Sequence, residues 1–509
     1  MSAALADMPA MRSLRRDPPA PAQPGRLALS VGLLAAPTLA HAHSFGKIYT
    51  LPVPVWLYLY GAAAALILSF LVVGYFVNAR SVDLNQRTRN ISHVGLLQAL
   101  VHPSAVCIAQ LLSVAGLLLT ILTGLLGTAD AYRNFNMTFF WIVFVLGYTY
   151  LTALAGNSYA AINPWKVLCL WAEKLRPGLF SGIWSYPERW AYWPALALYM
   201  AFIWFELFGE ARPYSTAVAL CVYTGVTLGG ALLFGRQAWF RHAEFFAVFL
   251  RIVGMMAPLY TRRNEDSGRR ELHLRQPFIG LTATRVTQVS LLVFVLFMLS
   301  STAFDGVKST VPYVRIYWVH VAGWLKPLVG DDIVQSFPLL KAIYTWWQVG
   351  VLVLSPFLYL AVYLFFIWLT KLVSRCELSV RELALRFTMS LVPIAFVYHV
   401  THYYGLLLSQ GTQVVKLLSD PFGWGWNLLG TADLKWNIVV QAGTVWHTQV
   451  WLILFGHIVS VYLAHLEALR IFSDSRRAAL SQLPMLLLMV VLTTVGLWIL
   501  SLPISRGAG

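Results

Sequence analysis

Four histidines in the C-terminal third of the chain are the residues best suited to chemistry. His399 and His402 stand in YHVTHYY at 398–404, and His447 and His457 stand in WHTQVWLILFGH at 446–457. Both stretches are otherwise apolar enough to lie in a membrane, where an ionisable side chain is costly and normally faces a cavity or a partner. Neutral imidazole ligates copper, zinc, iron and haem iron, and with an ordinary pKa of about 6.5 it also passes protons. Glu206, in WFELFGE at 204–210, is the strongest candidate for a carboxylate within a span, as a proton acceptor or cation ligand.

The spacing narrows the uses. His399 and His402 are three residues apart, so a helix presents both imidazoles on one side. If the two stretches are neighbouring helices of opposite direction, His399 and His457 lie at matching depth, roughly 15 Å below one surface, with His447 at the mouth. A depth-matched pair suits the two axial positions of a b-type haem. His399, His402 and His457 together would suit a transition metal such as copper, iron or zinc. A column of His399, His402, His447 and His457 with Glu206 would suit a proton path and substrate site. Against all three stands an ordinary packed bundle, in which each histidine hydrogen-bonds a neighbouring hydroxyl.

The elements that must position these groups follow from composition. The chain of 509 residues is 58% hydrophobic and only 11% charged, outside the soluble range and inside that of polytopic membrane proteins. Its net charge of +16 does not point to nucleic acid, because the basic residues fall in short connections between apolar runs. Ten runs are long enough to span: 54–77, 105–127, 137–155, 191–209, 216–234, 286–304, 345–370, 384–409, 447–468 and 482–503. Gly225 and Gly229 in the fifth form a small-xxx-small pair that predicts close helix packing. The expected fold is an all-α bundle, a single unit over 43–509.

Residues 1–42 read as a cleavable signal peptide, with Arg12, Arg15, Arg16 and Arg26 before a short apolar run and Ala40-His41-Ala42 at its end. Cleavage there would make His43 a copper-suited terminus. Of 37 Lys and Arg, 23 lie in one alternate set of connections and 10 in the other, which predicts the first set inside and both mature termini outside a bacterial inner membrane. The same bias decides AEFFAVFLRIVGMMAPLY at 243–260. It contains Glu244 and Arg251, and crossing would expose TRRNEDSGRRELHLR outside, so a re-entrant or interfacial segment is expected.

Some connections are more than linkers. GNSYAAINPWKVLCLWAEKLRPG at 156–178 reads as an amphipathic helix anchored at the inner surface by Trp165, Lys166 and Trp171. The arginine-rich loop at 261–275 reads as a contact for lipid headgroups or a partner. Outer stretches 305–344 and 410–446 are long, and in the second Phe422, Trp424 and Trp426 predict an aromatic lid over the histidine spans and a surface for a periplasmic or membrane partner. Cys107, Cys169, Cys221 and Cys376 all fall in spans or inner loops, so no disulfide is expected.

No phosphate loop, dinucleotide fingerprint, metalloprotease helix or serine elbow is present, so ATP-driven chemistry is not expected. A proton-coupled transporter for a small solute or metal ion is the leading expectation. A redox subunit binding haem b or copper through His399 and His457, and an assembly or scaffold subunit for a periplasmic enzyme, are the alternatives.

Overall fold

The computed structural model describes residues 54–77, 88–92, 99, 102–263, 270–329, 333–434, 436, 438, 441–472 and 474–502. The expected signal peptide, His43, His93 and the tip of the arginine-rich loop at 264–269 lie outside them. Twelve helical segments organise the described chain. They are α1 (Val55–Phe76), α2 (Pro103–Leu126), α3 (Phe135–Ala155), α4 (Pro164–Leu175), α5 (Trp193–Phe208), α6 (Pro213–Phe234), α7 (Phe245–Gly254), α8 (Val289–Lys308), α9 (Ile333–Ser374), α10 (Val380–Gln410), α11 (Ala442–Ile471) and α12 (Leu483–Ser501). Nine of these, all but α4, α5 and α7, are long and apolar enough to cross a membrane.

Local signals set the boundaries. Proline at the first helical turn, where the missing N–H costs nothing, opens α2, α4 and α6. Gly235 closes α6 at φ 83°, a conformation that favours glycine, and an added Cβ there would meet the Ser181 carbonyl at 2.9 Å. The Asn163 side chain caps α4 by accepting from Lys166 N at 3.1 Å.

Helix α8 is the axis of the bundle. Fifteen of its twenty residues are buried, which requires a segment apolar on every side, and its neighbours are α5, α9, α10 and α12. Lipid tails are as apolar as leucine, so packing contacts and interhelical hydrogen bonds hold such helices together. Ser355 Oγ on α9 donates to Ser300 Oγ on α8 at 2.9 Å, and Tyr398 OH on α10 donates to the Leu492 carbonyl on α12 at 2.8 Å. The first and last helices meet: α1 lies against α11 and α12.

Several expectations change. The expected fourth span is a 16-residue helix, about 24 Å long against a hydrocarbon core of about 30 Å. The only helix in the 243–260 stretch is the ten-residue α7, eight of whose residues are buried, so that helix packs inside protein instead of lying on a surface. Residues 305–344, expected as a long loop, are largely helical, and α9 runs 42 residues with Pro338 and Pro356 inside it. The arginine-rich loop is part of a small antiparallel sheet, order β1-β3-β2, from β1 (Arg89–Asn90), β2 (Leu259–Arg263) and β3 (Arg270–Leu274), with Tyr260 opposite His273.

The glycine pair in α6 also reads differently. Among the described residues nothing lies within 4 Å of a Cβ placed on Gly225 or Gly229, whereas one on Gly230 would collide with the Trp239 ring. Gly230→Leu is therefore expected to cost about 1–3 kcal/mol through overpacking, and Gly225→Leu almost nothing. Thermal unfolding of the two variants in detergent checks this, and equal losses would refute it.

Candidate functional site

The carboxyl-terminal end of α8 and the middle of α10 meet in a buried charged cluster. Positions 399, 402 and 403 share one side of α10 by the spacing of a helix, and that side faces Asp305 on α8. Asp305 is 5% exposed. Its Oδ2 lies 2.7 Å from His402 Nε2 and accepts a hydrogen bond from Tyr403 OH at 2.9 Å. Its Oδ1 lies 3.3 Å from Lys308 Nζ, one helical turn along α8. One carboxylate thus gathers an imidazole, a phenol and an ammonium, and charge-assisted hydrogen bonds of this kind are stronger than neutral ones.

Asp305 also borders a small cavity of about 70 Å³ whose polar lining includes Glu206, His399 and Tyr403. At about 30 Å³ per water, that is room for roughly two. Five helices build the walls. Glu206 comes from α5, Ser301 and Thr302 from α8, and Phe245, Phe246 and Phe249 from α7. Helix α3 contributes Trp141, Ile142, Phe144, Val145 and Leu146 from a π-helical stretch, Thr138–Tyr148. Such widened turns recur at functional sites because they re-aim side chains and loosen the backbone ladder. The His399 ring sits 5.9 Å from Tyr150 and 5.1 Å from Tyr403, and among the described residues neither His399 Nδ1 nor Tyr150 OH has a hydrogen-bond partner.

Of the residues chosen from sequence, Glu206 and His399 line one cavity, and His402 joins it through Asp305. His457 is placed elsewhere. It is fully buried with Nδ1 2.8 Å from the Ile453 carbonyl of its own helix, its ring packs against Tyr398, and it does not line the cavity. His447 is exposed, with its ring 6.2 Å from that of Tyr58. His399 lines this cavity and its depth-matched partner His457 does not. Among the described residues no group of three or more His, Cys, Asp or Glu side chains is arranged to hold a metal ion.

Phe422, Trp424 and Trp426 form an aromatic cluster, with ring centroids of the first two 4.5 Å apart. The loop is fastened to the turn before α3: Thr128 N donates to the Phe422 carbonyl and Phe135 N to the Pro421 carbonyl. None of the three aromatics lines the cavity. His465 is 1% exposed and is bonded through Nδ1 to Gln482 Nε2 at 2.8 Å. Cys169 on α4 is buried, which pushes its thiol up to about 12 and removes it as a nucleophile.

Asp305, Lys308, Tyr150 and Tyr403 were not among the residues read from sequence. The expected sixth span stops at 304, one residue short of Asp305, because a hydropathy window ends where the charge begins. The signal that would have found it is the Asp305/Lys308 spacing, a charge pair on one helical face directly continuing an apolar run.

Fold and site together define a multi-pass helical membrane protein with a charged cluster enclosed in its bundle. Comparison with known proteins finds no matching family model, curated relative or solved structure.

Proposed function

We propose that this protein is a proton-coupled secondary transporter for a small solute or metal ion in a bacterial inner membrane, with the basic connections inside and both mature termini outside. The observation that carries the reading is the meeting of Asp305 with His402, Tyr403 and Lys308 beside a cavity that Glu206 and His399 also line. Two carboxylates and one imidazole around this space, with a second imidazole bonded to Asp305, can exchange protons with each other and with water held there. Proton loading of this cluster would be exclusive with, or required for, a bound solute. Helix α7 serves as the re-entrant element. Short helices with buried ends are a recurring device for placing a binding site at membrane depth. The cavity holds only water-sized contents as it stands, so admitting a solute requires its aromatic wall of α3 and α7 to move.

The test is electrometry on proteoliposomes during jumps of pH and of solutes from separate classes: amino acids, carboxylates, sugars and divalent metal ions. One class is expected to give a transient current that disappears in Glu206→Gln and in His399→Ala, while the purified protein stays colourless and metal-free. A dithionite-reduced haem spectrum, or stoichiometric copper or iron, lost in His399→Ala would replace this reading with a redox subunit. Normal function of both variants would leave the cluster structural and favour a scaffold.

A further inference from the structure

A second cavity, of about 1030 Å³, lies at the opposite end of α8 from the Asp305 cluster, walled by residues 279–287, the start of α10 and the last turns of α11. Five arginines line it, Arg275, Arg285, Arg381, Arg386 and Arg470, against two carboxylates, Glu382 and Glu467. Both carboxylates are occupied. Glu382 closes the capping box of α10, accepting from Ser379 N and Oγ at 2.9 Å, and Glu467 is shared by Arg386 at 3.5 Å and Arg470 at 3.2 Å. Arg275 is occupied as well, donating to the carbonyls of Gly254, Met255 and Ala257 at the end of α7.

Arg285 and Arg381 remain. Both are exposed into the cavity wall, and among the described residues neither has a hydrogen-bond or ion-pair partner. Gathering an excess of guanidinium groups in one concavity is electrostatically unfavourable unless an anion enters, and the planar guanidinium fork matches phosphate oxygens in pairs. The volume far exceeds that of a phosphate ion and lies at the upper end of the range for organic ligands. Leu385, Met389 and Leu463 supply apolar wall for the rest of such a molecule.

We propose that this cavity is a binding site for a phosphate-bearing amphipathic or organic anion, with Arg285 and Arg381 grasping the phosphate and Arg386 and Arg470, held forward by Glu467, completing its field. The site is separate from the proton cluster, and its test does not depend on transport. Two sources share the chemistry, the headgroup of an anionic phospholipid and a soluble phosphorylated molecule.

Thermal unfolding of the full chain in neutral detergent distinguishes them. One arm adds inorganic pyrophosphate against sodium chloride of equal ionic strength. The other adds mixed micelles with phosphatidylglycerol against the same micelles with phosphatidylcholine. At saturation a rise of about 2–3 °C is expected in at least one arm, and the arm that responds names the source. In Arg285→Gln/Arg381→Gln the concentration for half the effect should rise at least about tenfold, the loss of one or two charge-assisted contacts. These side chains support nothing else in the fold, so the variant should fold normally. Arg133→Gln, which alters an exposed arginine outside the cavity, should respond like the unaltered protein. No shift in either arm, an unchanged response in the double variant, or an equal loss in Arg133→Gln overturns the proposal.

Discussion

On the proposed proton-coupled reading, Asp305→Asn is expected to lower the current at least about 100-fold while leaving the protein folded, the scale on which loss of a proton-transfer group acts. Asparagine keeps the size of the side chain and a carbonyl that can accept from Tyr403 OH, so the packing of α8 against α10 survives. What disappears is the negative charge shared by His402 at 2.7 Å and Lys308 at 3.3 Å. Lys308 and any proton arriving at His402 then have no anion between them, at a site where little water is available to screen them. On the proposed reading, coupling then fails even if solute still binds. Asp305→Ala should lose the current and also stability, by about 3–5 kcal/mol, because it leaves buried polar partners uncompensated. Size-exclusion profiles and thermal midpoints separate the two effects. A current retained in Asp305→Asn would make the cluster a structural clasp.

That residue also marks where the sequence stops being readable. Span positions follow from hydropathy because a helix crossing lipid must be continuously apolar, and nine of the ten expected runs match helices of spanning length. The i, i+3 rule placed His399 and His402 together without any structure. Rotational setting between helices is another matter. Whether His457 meets His399 depends on how α11 is turned about its axis, and a difference of one residue, about 100°, separates the side of α10 that carries Tyr398 from the side that carries His399. Hydropathy says nothing about that angle when the helix is apolar all round. Strands β1 and β3 escaped for a related reason. Arg89 pairs with Leu274 across a long stretch of chain, and two-residue or five-residue strands leave no alternation to detect. The 305–344 segment, read as a long connection, carries Pro312, Pro327 and Pro338, yet Pro312 stands in a first helical turn and the others inside helices.

Glu244 was legible only as an objection: a carboxylate that argued against a tenth-plus-one crossing at 243–260. Its position in the fold explains both its charge and its expected effect. It is 0% exposed and caps α7, accepting from Phe246 N at 3.2 Å and Ala247 N at 2.7 Å, while Asn163 Nδ2 donates to it at 3.0 Å and Tyr223 OH also donates. One side chain therefore joins the start of α7 to the cap of α4 and to α6. The positive end of the α7 dipole and four donors are what make a buried carboxylate tolerable here. Glu244→Ala removes the cap and strands the donors, and is expected to cost about 3–5 kcal/mol, seen as a lower thermal midpoint in detergent. Glu244→Gln should fall between, because an amide oxygen still accepts from the α7 backbone while its NH₂ opposes that of Asn163. Adding Asn163→Ala to Glu244→Ala should cost less than the sum of the single changes, since both break the same contact. The loss should reach the proton cluster too. Phe245, Phe246 and Phe249 on α7 form its cavity wall, so a helix freed at its first turn loosens that wall. The current of Glu244→Gln should accordingly show weaker coupling to pH, and unchanged coupling in a destabilised Glu244 variant would confine this residue to holding α7 in place.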